Sequence, residues 1–384
     1  MKPAADARVA LVVSGGGARA AYEAGVLKAI RDLAAQPQRS PFSIYCGVSG
    51  GAINAASLAV GADDFRVAVD TLEAFWSGLH AGAVYDADPL SVAVSGGRWL
   101  AALSVGWLFG YSPRGLFDNG PLERLLTERL DFSRLDSLIA SQSLRALSIT
   151  CSGYESGQCV SFFQGRADLD PWQRVQRVGA HVALSVQHVM ASMAVPFMFS
   201  AVKLHREYFG DGAMREVEPL SPAIRLGAER ILVVGTGNMV ADSGDRPASN
   251  GYPSLAQTAG HILSGIYVDS LSADIERMDQ VNRLLARVPD EIRQRDGITW
   301  RPIELMVIQP SERLDLIAMR MTSELPWAVC TLLRGMGVRD ETGGAFASYM
   351  LFEALYSRQL IDLGYRDAMA RRSELVTFLN LDNT

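Results

Sequence analysis

Tyr45-Cys46-Gly47-Val48-Ser49-Gly50-Gly51-Ala52 places Gly-x-Ser-x-Gly between an apolar run, Phe42 to Cys46, and a segment of helical character, Ala52 to Val60. Strand, tight turn and helix in that order are what a nucleophile elbow requires, because the serine then stands at the apex of a sharp turn with its hydroxyl exposed. Gly47 and the pair Gly50-Gly51 remove side chains that would collide with neighbouring backbone. The following helix aims free N–H groups and its positive dipole end at charge developing on a substrate. The pattern alone is common by chance. Its place between strand and helix is what favours catalysis over a plain glycine turn.

Towards the N-terminus, Arg8 to Ser14 (RVALVVS) is a near-continuous β-branched run, the signature of a buried parallel strand. Gly15-Gly16-Gly17 follows, and then Ala18 to Ala35, where Tyr22, Val26, Ala29, Ile30 and Leu33 keep helical spacing. A glycine loop between strand and helix suits anion binding, since its backbone N–H groups converge without side-chain obstruction. A dinucleotide site is disfavoured: Ala20 occupies the last position of Gly-x-Gly-x-x-Gly, and no Gly-Lys-Ser/Thr is present. An oxyanion hole serving the nearby serine is the better reading. Loops at the carboxyl ends of parallel strands meet in one crevice.

Composition bounds the rest. The chain has 384 residues, 48% of them hydrophobic, and a net charge of -6 from 36 basic and 42 acidic side chains. That balance argues against a general nucleic-acid binder. Four scattered cysteines, Cys46, Cys151, Cys159 and Cys330, offer no ligand spacing and no disulfide framework, so reduced thiols in a cytosolic protein are expected. Met1 to Ala7 is short and polar and leads into a strand, unlike a signal peptide. The apolar stretch Trp99 to Pro113 is too short to span a bilayer comfortably. Flanked by Arg98 and Arg114, it reads either as a core-packed helix or cap, which is preferred, or as an interfacial segment.

Further along, helices are expected at Asp64 to Leu79 and at Leu122 to Leu130, the latter after Asn119-Gly120-Pro121. Arg145 to Cys151 and Cys159 to Phe163 read as a hairpin turning at Gly153 to Gly157. Trp172 to Met193 reads as a helix carrying His188, a candidate third member of a triad that spacing alone does not place near Ser49. Short strands at Ala201 to Leu204 and Glu207 to Phe209 lead into Gly210-Asp211-Gly212-Ala213. Taken alone, this carboxylate reads as an ordinary turn aspartate. Arg230 to Gly235 is a buried strand, Val240 to Tyr252 an exposed loop, and Ser254 to Arg287 mostly helix. Ile303 to Gln309 is a strand. Leu325 to Arg334, Ala345 to Leu363 and Tyr365 to Leu379 are expected as closing helices.

Three blocks in this order resemble the bacterial patatin-like phospholipases. Gly15-Gly16-Gly17-Ala18-Arg19 is similar to the family's oxyanion motif, Gly47-Val48-Ser49-Gly50-Gly51 to its serine elbow, and Asp211-Gly212-Ala213 to its Asp-Gly-Gly/Ala motif. Ala191 to Phe199 (ASMAVPFMF) is a looser match, and the likeness covers about Arg8 to Gly235. Ser14 departs from the aspartate many members carry there, at a non-catalytic position. The resemblance implies a three-layer α/β/α fold with a mostly parallel central sheet and a helical C-terminal extension, divided as a core over 1–240 and an extension over 241–384 packed on the same domain.

It also implies a lipid acyl hydrolase of the phospholipase A or lysophospholipase type. Ser49 would attack the acyl ester and Asp211 would take its proton, with burial raising the basicity of that carboxylate. Gly15, Gly16, Gly17 and Gly50 would hold the oxyanion. Arg19, Trp107, Phe109 and Pro196 are candidate lipid contacts, and no metal or cofactor is implied. Expected partners are a phospholipid or other glycerolipid and a transient membrane contact, without nucleic acid. The expected location is cytoplasmic, with attachment to the inner membrane and homodimerisation both open. Acyl transfer and a non-catalytic lipid-binding role are the competing readings.

Overall fold

Residues 9 to 13 alternate between two cores. Val9, Leu11 and Val13 pack into one, and Ala10 and Val12 into the other. Successive side chains of a strand point to opposite faces, so a strand apolar on both faces must lie at the centre of a covered sheet. The computed structural model, which describes residues 8–382 apart from 87, 89–90, 92–93, 95–96, 98–114, 238–251, 298–299, 336 and 339–342, places it there.

The strands are β1 (Val9–Val13), β2 (Ile44–Val48), β3 (Ala146–Gly153), β4 (Cys159–Gly165), β5 (Trp172–Arg174), β6 (Arg177–His181), β7 (Val202–Leu204), β8 (Glu207–Asp211), β9 (Arg230–Val234) and β10 (Glu304–Ile308). They join in the order β10-β9-β1-β2-β3-β4-β6-β5, with β8 paired to both β3 and β7. The run from β10 to β3 is parallel throughout. β3 then pairs antiparallel with β4 as the expected hairpin.

Helices cover both faces. On one lie α1 (Ala21–Leu33), α2 (Gly50–Val60) and α3 (Phe65–Gly78), whose buried faces share a core with the C-terminal helices. Asp64 caps α3 by accepting the Val67 N–H at 3.1 Å, which satisfies one of the orphan donors of the first turn. The remaining helices that bear on the site are α4 (Val186–Ser192), α5 (Leu255–Ser264), α6 (Ser270–Leu285), α7 (Gly344–Met350), α8 (Ala354–Ala370) and α9 (Arg372–Leu379). Leu271 of α6 packs with Ala223 and Ile231 in the second core. The Tyr22 hydroxyl of α1 donates to Asp367 of α8 at 3.0 Å, so the last helices rest on the first one.

Two expectations are corrected. Trp172 to Met193 is not one helix: it forms β5, β6 and the short α4. Trp172 stacks on Phe163 at 5.1 Å, and β6 pairs with β4 from Cys159 to Phe163. Cross-strand pairing overrides the local helical pattern. Ala345 to Leu363 is likewise interrupted between α7 and α8 at Leu351 to Glu353. The stretch Trp99 to Tyr111, with Trp107 and Phe109, lies outside the described residues, as do positions 240–251 of the expected loop. Among the described residues, no helix is long and apolar enough to cross a membrane.

Candidate active site

Ser49 leaves β2 with φ 53° and ψ -128°. A serine in this region is strained by about 1–3 kcal/mol, and such strain persists only where the surroundings over-determine it. Here they do. The Ser49 N–H donates to Ser192 Oγ at 2.8 Å, and Ser192 Oγ donates to the Thr150 carbonyl at 2.7 Å. All three residues are buried, Ser49 and Ser192 completely. The elbow is thus tied to the end of α4 and to the neighbouring strand.

The glycine loop lies directly against this turn. A Cβ on Gly50 would stand 2.7 Å from the Gly17 carbonyl oxygen. Gly17 has φ 55° and no room for a side chain, because the Tyr349 carbonyl occupies that space. Gly15 turns its carbonyl to the Thr236 hydroxyl at 2.6 Å, while Thr236 N–H donates to Ser14 Oγ at 3.0 Å. Ser14 therefore anchors the loop to the chain after β9. Asn54 on α2 donates to the Ala20 carbonyl at 3.0 Å and to Glu23 at 2.7 Å, and Trp76 donates to Asn54 at 2.7 Å. These bonds fix the loop-bearing helix to the elbow-bearing helix.

Asp211 ends β8 and is 1% exposed. β3 uses one edge for β4 from Ala146 to Ser152. On its other edge β2 ends at Val48 opposite Thr150, and β8 begins its pairing with Asp211 opposite Cys151. β2 and β8 thus meet end to end in one lane. A Cβ on Gly212 would collide with the Thr150 carbonyl and stand 2.9 Å from Val48 Cγ2, so only glycine lets Asp211 approach this closely. The Asp211 side chain also accepts the Ala213 N–H at 3.0 Å.

An apolar crevice opens on Ser49. Met193, Met198 and Phe199 form one wall, and Phe346, Met350 and Phe352 another. Its free volume is about 20 Å³, room for roughly one water. Residues 11–224 match the family model for patatin-like phospholipase. The chain belongs to the patatin-like phospholipase family. Its fold is accordingly the patatin fold, with a mostly parallel sheet between helical layers and a helical C-terminal region. In this patatin-like chain the second crevice wall lies beyond the matched residues.

No curated protein matches the chain in sequence. Several solved structures are similar in shape, including the two that follow. VipD from Legionella pneumophila is 13% identical, with 96% of this chain and 67% of VipD covered and a TM-score of 0.38. Human GIVD cytosolic phospholipase A2, in complex with methyl gamma-linolenyl fluorophosphonate, is 12% identical, with 97% of this chain and 59% of that one covered and a TM-score of 0.43.

The other candidates fall in different places. The guanidinium of Arg19 is buried: Nε donates to Ser348 Oγ at 2.7 Å, and the group stacks 4.0 Å over the Tyr349 ring. Pro196 is half-buried between Val195 and the exposed Phe197. His188 is buried, and burial lowers its pKa to about 4, with His205 adding to the effect. Its Nδ1 lies 3.1 Å from the Ser185 hydroxyl, and among the described residues its Nε2 has no hydrogen-bond partner. It caps α4 rather than bonding to Ser49.

Sequence reasoning missed Ser192, although it stands inside the quoted block Ala191 to Phe199. It also missed Glu216, which is 8% exposed. Burial pushes the Glu216 carboxyl up to about 7, Asp211 and Asp274 push the same way, and the Thr150 hydroxyl opposes them.

Proposed function

We propose that the chain is a lipid acyl hydrolase of the phospholipase A or lysophospholipase type, working through Ser49 and Asp211. The observation that carries this reading is the meeting of β2 and β8 in one lane beside an apolar crevice. A strained serine, a buried carboxylate and a fatty-chain slot then share one place.

In this reading Ser49 Oγ attacks the acyl carbonyl while its proton passes to Asp211. The resulting oxyanion is held by N–H groups of the Gly15-Gly16-Gly17 loop and of Gly50, at the N-terminus of α2. Collapse releases the lyso-lipid or glycerol alcohol, which takes the proton back from Asp211, and leaves an acyl-enzyme. Water repeats the sequence and frees the fatty acid. Transfer of the acyl group to another alcohol would use the same intermediate. No metal or cofactor enters the scheme.

The substrate is a phospholipid or other glycerolipid met at a membrane surface, with Trp107 and Phe109 as proposed lipid contacts. A crevice with room for about one water is too small for an acyl chain, so its walls must move apart as the chain enters. Residues 1–240 and 241–384 then act as one catalytic unit. The test is a panel of phospholipids, lysophospholipids and acylglycerols with the released acids read by mass spectrometry. Fatty acid released by wild type and not by Ser49→Ala supports the reading. Equal release by both contradicts it.

A further inference from the structure

Asn54 stands five residues beyond Ser49 on α2, and the scheme above gives it no task. It is wholly buried, as are Ala20, Glu23 and Trp76 around it. The indole N–H of Trp76 can only donate, so its bond of 2.7 Å fixes Asn54 Oδ1 as the acceptor. Asn54 Nδ2 is thereby turned the other way. It donates to the Ala20 carbonyl at 3.0 Å and to Glu23 Oε2 at 2.7 Å. Turning the amide over would set donor against donor at Trp76 and acceptor against acceptor at Ala20, so its orientation is locked.

The place of Asn54 on α2 gives this amide its importance. Residues four apart share one face of a helix, so Asn54 lies one turn along from Gly50, on the face that meets the glycine loop. At Gly50 the contact is bare: a Cβ there would stand 2.7 Å from the Gly17 carbonyl oxygen and 2.8 Å from Ala20 Cβ. One turn further, Asn54 bridges to the Ala20 carbonyl. Ala20 ends the tight turn Gly17–Ala20 that carries the loop into α1. Steric contact at Gly50 limits how near the loop and α2 can come, and it does nothing to stop them parting. The Asn54 bonds oppose parting. The other anchors of the loop, from Thr236 to Ser14 and Gly15 and from Arg19 to Ser348, run to different parts of the chain.

We propose that Asn54 is a positioning residue for the reaction: its amide sets the gap between the two halves of the oxyanion hole, the Gly50 N–H on α2 and the Gly15-Gly16-Gly17 loop. The inference rests on the Ser49–Asp211 reading. Asn54 touches no reacting atom and acts through Ala20 and the shared face of α2. Donors on two separate elements stabilise an oxyanion only when both lie at hydrogen-bond distance from one point, and a misplacement of about 1 Å costs about 100-fold.

The experiment compares wild type, Asn54→Ala and Trp76→Phe by thermal melting, by kcat and KM on a short soluble ester, and by the rate of fluorophosphonate labelling. Both variants should melt at lower temperature, since each leaves buried polar groups unpaired. Asn54→Ala should lose about 10- to 100-fold in kcat and in labelling rate, with KM within about 2-fold of wild type. Trp76→Phe keeps both Asn54 donor bonds, so its kcat should stay within about 3-fold. Asn54→Ala with the kcat of wild type overturns the proposal. An equal loss of kcat in Trp76→Phe also overturns it, because activity then follows stability alone. If Asn54→Ala does not fold, Asn54→Ser, which has no amide to reach Ala20, is judged by the same criteria. Ser49→Ala is run alongside. Hydrolysis surviving in that variant means the Ser49–Asp211 reading has failed, whatever Asn54 does.

Discussion

Val48 and Asp211 lie against consecutive residues of β3: Val48 faces Thr150 and Asp211 faces Cys151. The strand that delivers the serine and the strand that delivers the carboxylate therefore enter one lane from opposite ends. Successive residues along β3 are about 3.3 Å apart, so a gap of one residue brings the two chain ends together. The separation of 162 residues from Ser49 to Asp211 in sequence is closed by strand register, without a dedicated loop.

Ser192 holds the strained turn, so Ser192→Ala leaves the buried Ser49 N–H without its partner. The cost should be about 1–3 kcal/mol of stability, read by denaturant melting. kcat should fall with KM little changed, because the elbow loses its anchor while the crevice is intact. An unchanged midpoint and kcat would show that the turn does not depend on this bond.

Gly17 sits at φ 55° with the Tyr349 carbonyl where a Cβ would go. Gly17→Ala must push the glycine loop away from α7. If the loop N–H groups hold the oxyanion, kcat should drop by about 100- to 1000-fold on a short ester. A variant with full activity would remove Gly17 from the oxyanion hole.

Glu23 is wholly buried, and burial pushes its carboxyl well above its ordinary value of 4.5, with the Asn54 hydrogen bond opposing. The folded chain thus keeps a proton that the unfolded chain releases above about pH 4.5. Stability is fully present below that pH and is lost as pH rises towards the folded value. Glu23→Gln lacks this dependence, so its melting temperature should gain on that of wild type as pH increases from 4 to 8. A constant difference across that range would contradict a buried, protonated Glu23.

Met350 closes the slot from the C-terminal side. Met350→Ala should cost about 2–5 kcal/mol and enlarge the crevice. The ratio of kcat/KM on long over short acyl esters should then increase. An unchanged ratio would place the acyl chain elsewhere.

The sequence was readable where one residue type answers one local constraint. The elbow needed glycine on both sides of Ser49, and the buried strands carried β-branched runs on both faces, so β1, β2 and the helices after them were evident. Where long-range contacts decide, reading failed. Trp172 to His181 became strands because Phe163 and β4 were waiting for them. Ser192 looks like any helical serine until the Ser49 N–H arrives. The crevice wall at Phe346 and Met350 lies about 300 residues from Ser49, and Glu216 has no motif of its own. Arg19 kept its place beside the glycine loop, but its partners Ser348 and Tyr349 were invisible from its neighbours.

The most direct test is fluorophosphonate labelling of wild type, Ser49→Ala and Asp211→Asn, with the adduct located by peptide mass spectrometry and phospholipid turnover measured in parallel. The account predicts one adduct, on the peptide bearing Ser49. It also predicts turnover lower by about 10⁴-fold or more in either variant, and a double variant scarcely worse than each alone. Turnover persisting in Ser49→Ala, or an adduct on another residue with Ser49 unmodified, would contradict it.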